Sequence, residues 1–213
     1  MSPDLISSSI IGIVALVATG TMIMAYIYHA CGMFNIASYR IEQAINTFQK
    51  NTLKSENKIY KEISYAVDIH RKAMEFIDYL VLTFEESYFF FIVIGIICLS
   101  LNFLWATSYS SNVEQLIIPI LIILTLYAYL FILNYVAQEI TDHNEYVFVT
   151  VYNVRWYMAP LHVQKMILFL LQRGSKVFHV ILGRIFVASM ESAVTLLSTS
   201  ISYFTVLHSM KKN

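Results

Sequence analysis

Near the end of the 213-residue sequence, Ser192, Thr195, Thr199, Ser202, Val206 and Ser209 recur at intervals of three, four, three, four and three. That spacing puts five hydroxyls and one valine on a single helix face, while Leu196, Leu197, Ile201, Phe204 and Leu207 fall on others. A hydroxyl row in an apolar helix must meet water, polar groups of a neighbouring helix, or its own backbone. Two arrangements satisfy it. Hydroxyls lining a water-filled pore would leave Val206 as an apolar constriction that gates by dewetting. Close packing through small residues, each hydroxyl bonded to the preceding turn, satisfies the same pattern without a pore. One helix encloses nothing, so the pore arrangement requires an oligomer around an axis. Glu191, at the start of this stretch, would either draw cations to a pore mouth or reach into interfacial water.

Other reactive side chains point to less. His29, His70, His143, His162, His179 and His208 show no metal-ligand spacing and no nearby cysteine partner. Glu85 and Glu86 could share a proton but read more simply as interfacial carboxylates. Cys98 lies inside an apolar run and Cys31 just beyond another, which disfavours a disulfide between them. The sequence has no Gly-rich phosphate loop, Gly-x-Ser-x-Gly elbow or His-Glu-x-x-His pattern. No catalytic residue, metal or cofactor is expected, and the chain does not read as an enzyme.

The elements that carry these residues are set by hydropathy. Hydrophobic residues make up 58% of the chain and charged ones 13%, about half the charged share of a soluble domain. Fourteen basic residues balance fourteen acidic ones, which gives nucleic acid no purchase. Leu5–Tyr28, Ser87–Val113 and Gln115–Gln138 are uncharged, and Ile185–Leu207 contains one charge, Glu191. Each is long enough to cross a bilayer as a helix. Between the apolar runs, Phe34, Ala37, Ile41, Ala44, Ile45 and Phe48 keep helical spacing, and so do Ile59, Ile63, Ala66, Val67, Ala73, Met74, Ile77, Leu80, Val81 and Phe84. Asn51–Asn57 is the expected turn between these two stripes. Further on, Pro160 should break the helix, Gly174 should cap the next one, and a turn should fall near Gly183.

Arg40, Lys50, Lys54, Lys58, Lys61, Arg71 and Lys72 share one side of the membrane with Arg155, Lys165, Arg173, Lys176 and Arg184, leaving Lys211 and Lys212 on the other. The positive-inside rule makes the first side cytoplasmic and the C-terminus extracellular. The fold class is therefore all-α: a polytopic membrane protein with four transmembrane helices at about 5–28, 87–113, 115–138 and 185–207. Long cytoplasmic helical extensions at about 32–50, 59–86 and 139–173 would form an anchor region. An external N-terminus this short fits a chain lacking upstream spans.

The stretch from Tyr152 through Arg155, Trp156 and Tyr157 to Pro160, followed by Gln164, Lys165, Gln172, Arg173 and Lys176, resembles the penultimate region of insect odorant receptors. Gly183, Phe186, Ser189 and the ending Ser202-Tyr203-Phe204-Thr205-Val206-Leu207 are similar to that family's last span. His29 to Phe34, then Ser38-Tyr39-Arg40, looks like the inner end of its fourth span in a form associated with ants, bees and wasps. Where family members often have Leu before the motif proline, this chain has Ala159, implying a small packing difference.

The resemblance implies a seven-span receptor of inverted topology, of which these would be the fourth to seventh spans, in the plasma membrane of olfactory neurons. It implies a ligand-gated, non-selective cation channel for sensory transduction. Four subunits, odorant-specific chains with a shared odorant co-receptor, would surround one pore as a heterotetramer in the lipid bilayer. The ligand would be a small volatile. Val206 then matches the gate valine and Ser209 the next pore-facing turn. Ile13, Val17, Leu124 and Tyr127 would contribute to odorant binding, or pack as ordinary membrane residues. A gustatory-type receptor channel is the nearest rival. A secondary transporter fragment would favour helices broken at the bilayer midplane, and a four-span junctional protein would favour cysteine-rich outer loops.

Overall fold

A computed structural model of the protein describes residues 3–50, 56–108, 113–174, 180–182 and 186–212. Three long helices come first: α1 (Pro3–Lys50), α2 (Glu56–Ser108) and α3 (Val113–Asn153). A short 3-10 turn (Trp156–Met158), α4 (Leu161–Gly174), strands β1 (Ile181–Leu182) and β2 (Phe186–Val187), and α5 (Met190–Lys212) complete the order. The fold is all-α apart from that two-stranded antiparallel hairpin, in which Ile181 pairs with Val187 and Leu182 with Phe186. Stretches long and apolar enough to cross a membrane lie in α1, α2 and α3. The 23 residues of α5, at about 1.5 Å each, also exceed the roughly 30 Å hydrocarbon core.

Several boundaries differ from the sequence expectations. Asn57 belongs to α2, while the rest of the expected turn, and Gly183, lie largely outside the described residues. The break expected at Pro160 divides residues 139–173, but it begins earlier. α3 ends at Asn153, before the proline, and Arg155 leaves helical geometry with φ −75° and ψ 54°. Ala159 is extended, at φ −73° and ψ 162°, because the ring of Pro160 excludes the helical conformation from the residue before it. Gly174 is the last helical residue of α4. A side chain there would start 2.1 Å from the Phe148 ring, so the close approach of helix end to ring requires glycine. At the other end of the chain, Phe186 and Val187 pair as β2 and the last helix starts at Met190.

The described helices divide into two compact units. The first comprises Met1–Asp78 and Glu139–Phe178. Its core takes Phe34, Ile41 and Ile45 from α1, Ile63 and Ile77 from α2, Val147 and Val151 from α3, and Val163 and Ile167 from α4. These positions continue the stripes of period three and four. Each such side chain contributes about 1.5–3 kcal/mol on burial. Gln164 closes the turn between α3 and α4: its Nε2 donates to Tyr157 O at 2.8 Å and Ala159 O at 2.7 Å.

The second unit comprises Tyr79–Gln138 and His179–Asn213. Ile92 and Leu99 of α2, Leu130 of α3 and Leu196 of α5 form its centre, with Tyr88, Phe91, Ile96, Ile123, Leu126 and Phe186 packed around them. Gly95 faces Leu130 of α3, where a Cβ would lie 3.4 Å from the leucine side chain, an ordinary contact.

Candidate functional site

α5 is held in its unit by one face. Ala193, Leu196 and Ser200 are buried at 1%, 5% and 0% exposure, and at about 100° per residue they point the same way. At their centre Ser100 Oγ donates to Ser200 O at 3.2 Å and to Ile96 O at 2.7 Å. Phe103 and Phe204 extend the contact, their ring centroids 5.8 Å apart. The row Thr195, Thr199, Ser202, Val206 and Ser209 lies roughly opposite this face. Thr195, Ser202 and Ser209 are exposed, Thr199 is half-buried, and Val206 is 55% exposed.

Every hydroxyl in the row donates to its own helix. Thr195 Oγ1 bonds Glu191 O at 3.1 Å, Thr199 Oγ1 bonds Thr195 O at 2.8 Å, Ser202 Oγ bonds Ser198 O at 2.9 Å and Ser209 Oγ bonds Val206 O at 2.8 Å. Each oxygen keeps a lone pair for water, so back-bonding and a wet surface are compatible rather than exclusive. Ser192 is used otherwise: its hydroxyl meets Val187 O and Ser189 Oγ. Ser189 Oγ accepts the Ser192 N–H at 3.2 Å, which makes Ser189 the N-cap. Glu191 stands in the first turn, where the helix dipole favours negative charge.

The candidate ligand residues are divided between the units. Ile13 lies in α1, with its side chain outside the described residues. Val17, in the first unit, is 56% exposed. Leu124, in the second, is 61% exposed, and the Tyr127 ring lies 6.2 Å from that of Phe131. An open groove of about 450 Å³ in the first unit runs past Tyr39, Arg40, Lys58 and Glu62. Arg40 there pairs with Glu62 at 3.1 Å and lies 4.6 Å over the Tyr65 ring. So charged a wall is unsuited to an apolar volatile. Among the described residues, no cluster of three or more His, Cys, Asp or Glu is placed to hold a metal.

Sequence reasoning passed over several contacts. Ser200 could have been found, since it shares a face with Ala193 and Leu196, where a small residue permits close approach. The buried bond between His70 Nε2 and Asn144 Oδ1, 3.0 Å long and 74 positions apart, left no local signal.

Three apolar helices of spanning length, followed in the sequence by a hydroxyl-faced helix, define a multi-pass membrane protein. Comparison with known proteins makes the class specific. Residues 5–201 match the family described as "7tm Odorant receptor", and the chain belongs to that family. Among solved structures it is similar to the insect olfactory receptor OR5 from Machilis hrabei, determined in complex with eugenol, with TM-score 0.75 and 16% identity. The match covers 99% of this chain and 54% of that one, so this chain spans about half the length of the receptor it resembles. At that identity the likeness is one of fold.

Proposed function

We propose that the chain acts as a subunit of an odorant-gated, non-selective cation channel in the plasma membrane, with its C-terminus outside. A shared odorant co-receptor would complete a heterotetramer, and a small volatile would be the ligand. The observation that carries this reading is the orientation of α5, which buries Ala193, Leu196 and Ser200 while Thr195, Ser202, Val206 and Ser209 stay uncovered. Several copies around an axis would turn those rows toward one aqueous path, with Val206 as its constriction. Ser192, Thr195, Thr199, Ser202 and Ser209 would line it. Ile13, Val17, Leu124 and Tyr127 are the proposed odorant contacts, and odorant binding would draw Val206 off the axis.

In cells expressing the complete receptor with its co-receptor subunit, Val206→Ala is expected to raise basal current by widening the apolar constriction. Unchanged basal and odorant-evoked currents would remove Val206 from the gate.

A further inference from the structure

Two polar atoms are shut inside the apolar second unit without a hydrogen-bond partner: Tyr88 Oη and Asn134 Oδ1. The other end of the Asn134 amide is satisfied, Nδ2 donating to Leu130 O at 2.9 Å. That bond fixes the oxygen as the unserved end. Ser100 and Ser200, buried in the same unit, both have partners. Buried polar groups in native proteins are almost always satisfied, and these two atoms are shut off from bulk water by the side chains around them.

The helix register brings the two orphans to the same side of one crossing. α2 ends at Ser108 and α3 begins at Val113, so helices meeting at Gly95 and Leu130 run antiparallel. The Phe91 and Tyr129 rings, 5.0 Å apart, lie in the same region. Going back along α2 from Gly95 leads through Ile92 and Phe91 to Tyr88. Going forward along α3 from Leu130 leads, one turn later, to Asn134. Tyr88 packs against the cluster of Ile92, Leu99, Leu130 and Leu196, and Asn134 is fully buried.

We propose that Tyr88 and Asn134 form a site for one hydroxyl group, bound between α2 and α3. The chemistry follows from the atoms. An amide oxygen accepts only, whereas a phenol can donate. The guest must therefore donate its hydrogen to Asn134 Oδ1 while its oxygen accepts from Tyr88 Oη–H. Water does both, and so does a small alcohol or phenol, whose carbon frame suits walls such as Phe91 and Ile92. Aldehydes, ketones and esters can accept from Tyr88 but leave Asn134 orphaned, and hydrocarbons serve neither. Sites built to bond a hydroxyl discriminate strongly against analogues lacking it. This inference does not depend on the chain conducting ions.

The test uses the chain in lipid nanodiscs, with Tyr88→Phe and Asn134→Leu as conservative variants. Benzyl alcohol and toluene, alike in shape, are compared by the thermal stabilisation each produces at equal concentration in the lipid, because toluene partitions into lipid more strongly. For an alcohol site, the unsubstituted chain binds benzyl alcohol about tenfold more tightly than toluene, and both variants lose the preference. If there is no preference, a structure resolving ordered water distinguishes what remains. A water bonded to both atoms assigns the same site to water. Tyr88 Oη donating directly to Asn134 Oδ1, or no guest bonded to both atoms, overturns the proposal. So does an alcohol preference that survives in both variants.

Discussion

At His70 a titratable ring is enclosed by Phe34, whose centroid lies 5.3 Å away, and Phe148, at 5.4 Å, with Asn144 as its hydrogen-bond partner. In the proposed reading this region lies outside the bilayer, since α2 up to Glu86 carries charge on nearly every turn. Burial pushes the imidazole pKa down, the Asn144 bond partly opposes this, and the nearby Arg173 guanidinium lowers it further. The folded protein therefore holds the neutral ring, while the unfolded chain protonates at the ordinary value near ~6.5. This contribution to stability is intact above that value. It is lost as pH falls from there toward the lowered folded pKa, at no more than about 1.4 kcal/mol per pH unit. His70→Gln should melt earlier at neutral pH and show a flatter dependence between about pH 7.5 and 5.5. Parallel melting curves for the two proteins across that range would assign the pH dependence to other groups.

At the level of elements, α5 shows what a sequence discloses and what it withholds. Its stripe was legible because helical periodicity is local: Thr195, Thr199, Ser202 and Val206 lie on one face whatever surrounds them. The stripes of α1 and α2 were legible for the same reason, and Phe34, Ile41 and Ile63 are buried as their spacing demands. The start of α5 was not. Phe186 and Val187 are as apolar as the helix that follows, and only their pairing with Ile181 and Leu182 makes them a strand. That pairing frees Ser189 to cap the helix, with its hydroxyl on the Ser192 N–H. The break at Pro160 was legible, but not that α3 already ends at Asn153, because Pro160 acts through Ala159 and the Trp156–Met158 turn rather than at its own position. Ser189→Ala removes the cap acceptor and is expected to cost about 1 kcal/mol. Amide hydrogen exchange should quicken in the first turn of α5, and Ser189→Asp should restore protection. Unchanged exchange at Ser192 would mean that the strand bond alone holds the helix start.

For the whole molecule, the question is what covers the faces of α5 that its own unit leaves open. Ala193, Leu196 and Ser200 meet α2 and the core. Val194 and Ile201, at 59% and 43% exposure, lie on a second face with Ser198, whose hydroxyl is bonded back to Val194 O at 3.1 Å, and this face suits lipid. The hydroxyl row forms a third, and hydroxyls gain nothing from lipid beyond the backbone bonds they already make. In the proposed assembly the third face is wet and the second is dry, which thiol accessibility can separate. With Cys31 and Cys98 replaced by alanine, cysteines at Thr199, Ser202 and Ser209 should react with a charged, membrane-impermeant thiol reagent and block current in the assembled receptor. Cysteines at Val194 and Ile201 should not. Reaction confined to positions 194 and 201 would turn the helix round and remove the hydroxyl row from the conduction path. If neither face reacts, α5 is packed on all sides and the hydroxyls serve helix association. Protection should be graded too: a reagent applied from outside should reach Ser209→Cys in the closed receptor, but Thr199→Cys, on the inner side of Val206, only once odorant opens it. Equal rates at both positions without odorant would leave no constriction at Val206, even if both cysteines face water.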